Sequence, residues 1–132
     1  MDKSCENALI IDDDNWNYRI ISRYLNNYNI KTNYAEKALE GLANAVNNKP
    51  DLILLDLVLP ELSGIYVLKT LKLIESTKDI PVLILSGNID VDTIRLTKKY
   101  GAKDFISKPY KESTILEKLK VIFPHDRIFD LM

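Results

Sequence analysis

Five short apolar runs alternate with five longer stretches of helical spacing, and few folds accommodate that order. The runs cover residues 8–11, 30–34, 52–55, 81–85 and 104–107. Between them, apolar residues recur at intervals of three and four. Trp16, Ile20, Tyr24 and Tyr28, with Ile21 and Leu25 beside them, predict a helix over 15–28. Leu39, Leu42 and Val46 predict one over about 36–48. Leu68, Leu71 and Ile74 predict one over about 64–76, and Ile115, Leu119 and Ile122 one over about 111–123. Around 90–100 the stripe is weaker, because Arg95, Lys98 and Lys99 interrupt Ile94 and Tyr100. Strands joined by helical crossovers run parallel, since only a crossover returns the chain in the same direction. The central runs Leu9-Ile10-Ile11, Leu52-Ile53-Leu54-Leu55 and Val82-Leu83-Ile84-Leu85 do not alternate with polar residues. They therefore fit strands covered on both faces, and the expected fold is a doubly wound α/β sheet. Pro50 before the third run, Pro81 at the start of the fourth and Gly101 after the fourth helix punctuate the same order.

Composition narrows the function. A chain of 132 residues is one domain by length, expected here over 1–123 with a short tail over 124–132. Eighteen basic residues against 19 acidic ones give a net charge of −1, which offers no basic excess to a phosphate backbone. One cysteine (Cys5) and one histidine (His125) exclude an internal disulfide and a His/Cys zinc site. No apolar run approaches the roughly 18 residues needed to span a membrane, and the first residues do not read as a signal peptide. The expected compartment is the cytoplasm. Tyr18, Tyr24, Tyr28 and Tyr34 read as packing residues, and Lys98-Lys99 as a solvated helix face.

In an open parallel sheet, ligands bind beyond the carboxyl ends of the strands. The residues just after those ends are Asp12, Asp13 and Asp14 for the first strand and Asp56 for the third. Ser86 and Gly87 follow the fourth strand, and Lys108 and Pro109 the fifth. Singly, each is an ordinary turn former or helix cap. Together, at four strand ends, they form an acidic pocket with one cation and one hydroxyl. Like charges about 4 Å apart repel by roughly 4 kcal/mol at an effective dielectric of 20. One carboxylate must then take up a proton, or a divalent cation must neutralise the group. Oxygen ligands with waters retained suit Mg²⁺. With the metal and Lys108 drawing a phosphoryl group, Asp56 is the natural nucleophile.

These residues resemble the receiver domain of two-component response regulators, over about residues 7–123. The acidic pair ending the first strand is matched by Ile10-Ile11-Asp12-Asp13. The run around the phosphorylated Asp is matched from Pro50-Asp51 through Asp56 to Pro60 and Gly64. The Thr/Ser site is matched by Ser86, and the Gly-Ala…Lys-Pro signature by Gly101-Ala102 and Lys108-Pro109. The resemblance implies a flavodoxin-like five-stranded sheet of order 2-1-3-4-5 with helices on both faces. It implies Asp56 as phosphoacceptor, and Mg²⁺ (or Mn²⁺) bound by Asp13, Asp56 and the Val58 backbone carbonyl, with Asp12 acting through water. It places Ser86 and Lys108 on the phosphoryl oxygens and Phe105 at the switch aromatic. The implied donor is a histidine kinase or histidine phosphotransfer protein. The implied output is a downstream protein docking on the fourth helix, fifth strand and fifth helix, with room for a phosphorylation-dependent homodimer. Nucleic acid and membrane insertion are not expected, nor is enzymatic activity beyond the chain's own phosphorylation and dephosphorylation.

The chain departs from the family pattern at named positions. Gly87 stands where a small Ala is common, and Ser86 lacks the methyl of Thr. Phe105 cannot donate the hydrogen bond of a Tyr. Val58 and Asn88 flank the site, and neither is a base for an attacking water, which predicts a phosphorylated state that is not especially short-lived. Three other functions compete for the same residues. A haloacid-dehalogenase-type phosphatase needs a second Asp two residues after the nucleophile, where this chain has Val58. A flavodoxin-like cofactor binder needs a phosphate loop where this chain has three aspartates. A degenerate receiver used only for docking would lack active residues that are all present here. Only about nine residues follow the fifth helix, which leaves a stand-alone regulator, a phosphorelay intermediate or a receiver from a longer protein. His125 lies in the tail, so the phosphodonor is expected to be another protein.

Overall fold

A computed structural model of the chain describes residues 4–87 and 90–126. The strands are β1 (Asn7–Ile11), β2 (Lys31–Ala35), β3 (Leu52–Asp56), β4 (Val82–Ser86) and β5 (Asp104–Ser107). The helices are α1 (Asn15–Asn26), α2 (Ala38–Asn48), α3 (Gly64–Leu73), α4 (Val91–Lys99) and α5 (Glu112–Ile122). All four strand pairings are parallel, in the order β2-β1-β3-β4-β5, as the resemblance implied.

The apolar runs are continuous because both faces of the sheet are covered. Ala8 and Ile10 of β1, Leu52 and Leu54 of β3, and Leu83 and Leu85 of β4 pack with Ile21 and Leu25 of α1 and Ile115 and Leu119 of α5. Their neighbours Leu9, Ile11, Ile53, Leu55, Val82 and Ile84 point to the other face, against Ala38 and Ala45 of α2 and Val67, Leu68 and Leu71 of α3. A period of two on each strand thus feeds two separate cores.

Helix faces differ from the sequence expectation in two places. In α1 the buried residues are Asn17, Ile21, Ser22 and Leu25, while Trp16 at the head of the expected stripe is 66% exposed. In α2 the buried residues are Ala38, Gly41 and Ala45, and Leu39 and Val46 face solvent. The reason is close approach. A Cβ on Gly41 would lie 2.8 Å from Ile11 Cγ1, so α2 sits too near β1 for large side chains on its inner face. At the end of α4, Gly101 has φ +102°, and its amide donates to the Lys98 carbonyl (3.0 Å) while that of Ala102 donates to Thr97 (3.0 Å). The left-handed turn explains glycine there. Tyr18 and Tyr34 stack with ring centroids 4.3 Å apart, a packing role as expected. No helix among the described residues is long and apolar enough to cross a membrane.

Candidate phosphoacceptor site

Parallel register brings the strand ends to one edge. Ile11 pairs with Leu55, Asp56 with Leu85, and Ser86 with Ser107, so Asp12, Asp56, Ser86 and Lys108 all emerge there. The Asp12 amide donates to the Ala35 carbonyl (3.1 Å), prolonging the β1–β2 ladder by one bond. The Lys108 amide donates to the Ser86 carbonyl (3.1 Å), which ties the loop after β5 to the end of β4. The Lys108–Pro109 peptide is cis, and both residues are exposed.

Carboxylate oxygens of Asp12, Asp13 and Asp56 lie within 4.8 Å of one another. Asp12 and Asp56 are buried, while Asp13 faces solvent. Asp14 is set apart from them. Its carboxylate accepts from the Trp16 amide (2.9 Å) and caps α1, and its own amide donates to Asp12 Oδ1 (2.9 Å). The other Asp12 oxygen accepts from Asn17 Nδ2 (3.2 Å). The Val58 amide donates to Asp56 Oδ1 (2.9 Å), whereas the Val58 side chain is 75% exposed.

Burial pushes the Asp12 carboxyl up to about 6, with the Asp56 charge adding to it, against the amides of Asp14 and Asn17. Burial also raises Asp56, and the Asp13 charge adds to it, while the Val58 amide and Lys108 oppose it. Two buried acids that are costly to ionise, beside a third that is exposed, offer an oxygen-only donor set. A hard divalent cation fits it, because it would stabilise the ionised form of all three.

The cleft around this group measures about 880 Å³ and is lined by Asp13, Asp56, Val58, Ser86, Gly87 and Lys108 among others. Every expected site residue within the described chain except Phe105 and Pro109 lines it or belongs to the acidic trio. Phe105 is half-buried on β5, against the α2–α3 side of the core, with Lys118 Nζ 5.3 Å from its ring centroid. Ser86 is buried at the end of β4. Asn88 lies outside the described residues, as do positions 127–132 of the expected tail.

Two residues with a part in this geometry escaped the sequence argument. Asn17 lies outside the stripe of Trp16, Ile20, Tyr24 and Tyr28 that the spacing predicts. The usable signal was an amide on a helix face that carries Ile21 and Leu25 one and two turns on. Gly64 stands out in the sequence only as the end of the run from Pro50 through Asp56 and Pro60. Its amide donates to the Leu57 carbonyl (2.9 Å), and a Cβ there would lie 2.6 Å from Leu57 Cα. It therefore allows α3 to start directly against the backbone that follows Asp56.

Residues 8–120 match the model of the response regulator receiver domain. The chain is 30% identical over 119 residues to sporulation initiation phosphotransferase F of Bacillus subtilis, covering 90% of this chain and 94% of that protein. It is 35% identical over 114 residues to the phosphate regulon transcriptional regulatory protein PhoB of Pseudomonas aeruginosa, covering 86% of this chain and 50% of that one. It thus spans about half the length of PhoB, and likewise of the transcriptional regulator RpaA of Synechocystis. A crystal structure of a response regulator receiver domain protein from Methanospirillum hungatei superimposes with a TM-score of 0.83 at 26% identity, over 92% of this chain and 95% of that one. With an acidic trio, a hydroxyl and a lysine gathered at the carboxyl edge of a 2-1-3-4-5 sheet, this chain belongs to the receiver domain family of two-component response regulators, phosphorylation-activated switches.

Proposed function

We propose that Asp56 is the phosphoacceptor, that Mg²⁺ (or Mn²⁺) is the cofactor, and that the donor is the phosphohistidine of a histidine kinase or histidine phosphotransfer protein. The observation that supports this most directly is the trio of carboxylates within 4.8 Å of one another, in a cleft that Lys108 and Ser86 also line. Asp13 and Asp56, with the Val58 carbonyl, would hold the ion, and Asp12 would act through water. Once bound, the ion would offset the charge of the carboxylates and of the incoming phosphoryl group.

The chain's own residues do the rest. The Val58 amide fixes the Asp56 carboxylate by holding Oδ1. An Asp56 oxygen forms the bond to phosphorus as the phosphorus–nitrogen bond to the donor imidazole breaks, and the departing nitrogen takes up a proton. Such transfers depend mostly on position and charge neutralisation, which the Lys108 ammonium and the Ser86 hydroxyl supply at the phosphoryl oxygens. Gly87 leaves room beside them: a Cβ there would already stand 3.3 Å from Lys108 Cδ. The chain acts on no substrate other than its own phosphoryl group.

Output leaves through α4, β5 and α5. Added charge at Asp56 draws Ser86 toward it, and Phe105 moves into the space this vacates. Phe105 has no hydroxyl, so this coupling is steric. The altered face then recruits a downstream protein or a second phosphorylated copy. Incubation with acetyl phosphate and Mg²⁺ tests the assignment. Acid-labile phosphate is expected on the native chain and absent from Asp56→Asn, and label retained at another residue refutes it. Beryllofluoride binding that requires Mg²⁺ separates this function from docking without phosphorylation.

A further inference from the structure

At the end of the molecule away from Asp56, the last turns of α3 and α4 enclose a depression of about 480 Å³ lined by Lys69, Lys72, Leu73, Lys99, Tyr100 and Gly101. Its floor is apolar and its rim is cationic. Lys69 Nζ lies 4.3 Å from the Tyr100 ring centroid, and Lys99 Nζ lies 5.9 Å from it. Lys72 is tied down: its ammonium donates to the carbonyls of Lys78 (3.1 Å) and Ile80 (2.9 Å), and its stem forms a wall under Gly101. Leu73 is 86% exposed. Among the described residues, no carboxylate comes within 4.0 Å of Lys69, Lys99 or the nearby Lys103; Glu75 pairs instead with Lys78.

Helix-end electrostatics accounts for part of this. Lys72, Lys98 and Lys99 occupy the last turns of α3 and α4, where a cation meets the negative end of the helix. Lys69 sits a turn earlier, and the exposure of Leu73 serves no helix end. We propose that this α3–α4 base is a docking surface for an acidic segment of a partner protein that also carries an apolar anchor. Carboxylates would meet Lys69, Lys99 and Lys103, and the anchor would cover Leu73 and the part of the half-buried Tyr100 that lines the depression. A nucleic-acid backbone fits less well. It would use the few cations and leave the leucine in water, and three or four phosphate contacts give little affinity at physiological salt.

The test titrates the full ¹⁵N-labelled chain with a synthetic amphipathic helix carrying glutamates on one face and leucines on the other. Amide shifts centred on Leu73, Lys99, Tyr100 and Gly101 are expected. Affinity should drop about tenfold, the scale of a lost anchor, in Leu73→Asp and in a Lys69→Glu/Lys99→Glu double variant. Leu73 is exposed, so its replacement leaves the fold intact, and beryllofluoride loading of each variant verifies that. Absence of shifts at these amides, or equal binding of a leucine-free glutamate peptide, overturns the proposal. So does a stronger response of the same amides to phosphatidylglycerol vesicles or to a short DNA duplex.

Discussion

Asn17 Nδ2 donates to Asp12 Oδ2 across 3.2 Å, and both side chains are buried. A helix residue five positions on thus supports the carboxylate at the end of β1. Replacing Asn17 with Ala removes that donor and leaves a buried acceptor short of one partner. The expected cost is about 1–3 kcal/mol in urea unfolding. Asp12 should become harder still to ionise, so Mg²⁺ binding at neutral pH should weaken. Far-UV circular dichroism in urea reads the first, and calorimetric titration with Mg²⁺ reads the second.

The acidic pair gives the metal-free chain a defined pH slope. Asp12 titrates at about 6 when folded, above its ordinary 3.8. The folded state therefore binds more protons than the unfolded state between those values. The contribution is fully present below about pH 4 and is lost as pH rises through about 6, with the raised Asp56 acting in the same direction. Denaturation midpoints measured without divalent ions should fall across that window. Asp12→Asn should flatten the slope and raise stability at neutral pH, and Mg²⁺ should restore much of what the native chain loses.

Gly64 is set against the Asp56–Leu57 backbone so closely that a methyl group must displace it. Gly64→Ala is expected to cost about 1–3 kcal/mol, the usual range for overpacking. The same shift would move the Val58 amide off Asp56, so phosphorylation by acetyl phosphate should slow as well. A Gly64→Ala chain with native stability and native rate would show that α3 can retreat without consequence.

Val58 stands at the mouth of the site with its side chain 75% exposed and nothing to orient a water. Val58→Asn or Val58→Glu should shorten the lifetime of the phosphorylated state, measured by loss of label with Mg²⁺ present. Being exposed, the substitutions should change stability by less than about 0.5 kcal/mol.

The ion pair between Lys118 and Asp104 (3.0 Å) is quarter-exposed, and the same ammonium lies over Phe105. Lys118→Ala should cost no more than about 1 kcal/mol. Its larger effect is expected on the Phe105 ring, whose NMR line shape should broaden or shift in the unphosphorylated chain.

Much of this protein was written in local pattern. Runs apolar at every position dictated strands buried on both faces, and the helical stretches between them dictated parallel pairing. Polar residues just past each run marked the sheet edge where chemistry collects. Those features depend on neighbours in the chain, which is why they can be read along it. The inward face of α2 was not legible, because Leu39 and Val46 outrank Ala38, Gly41 and Ala45 on any hydropathy count. Only the distance between α2 and β1, set by Ile11 beneath Gly41, turns the small residues inward. Asn17 is the same kind of case: its partner Asp12 ends the preceding strand, and nothing in the spacing says that the amide turns back toward it. Sequence order determined which groups reach the edge. Packing between elements decided which of them touch, since van der Waals exclusion acts across the fold and not along the chain.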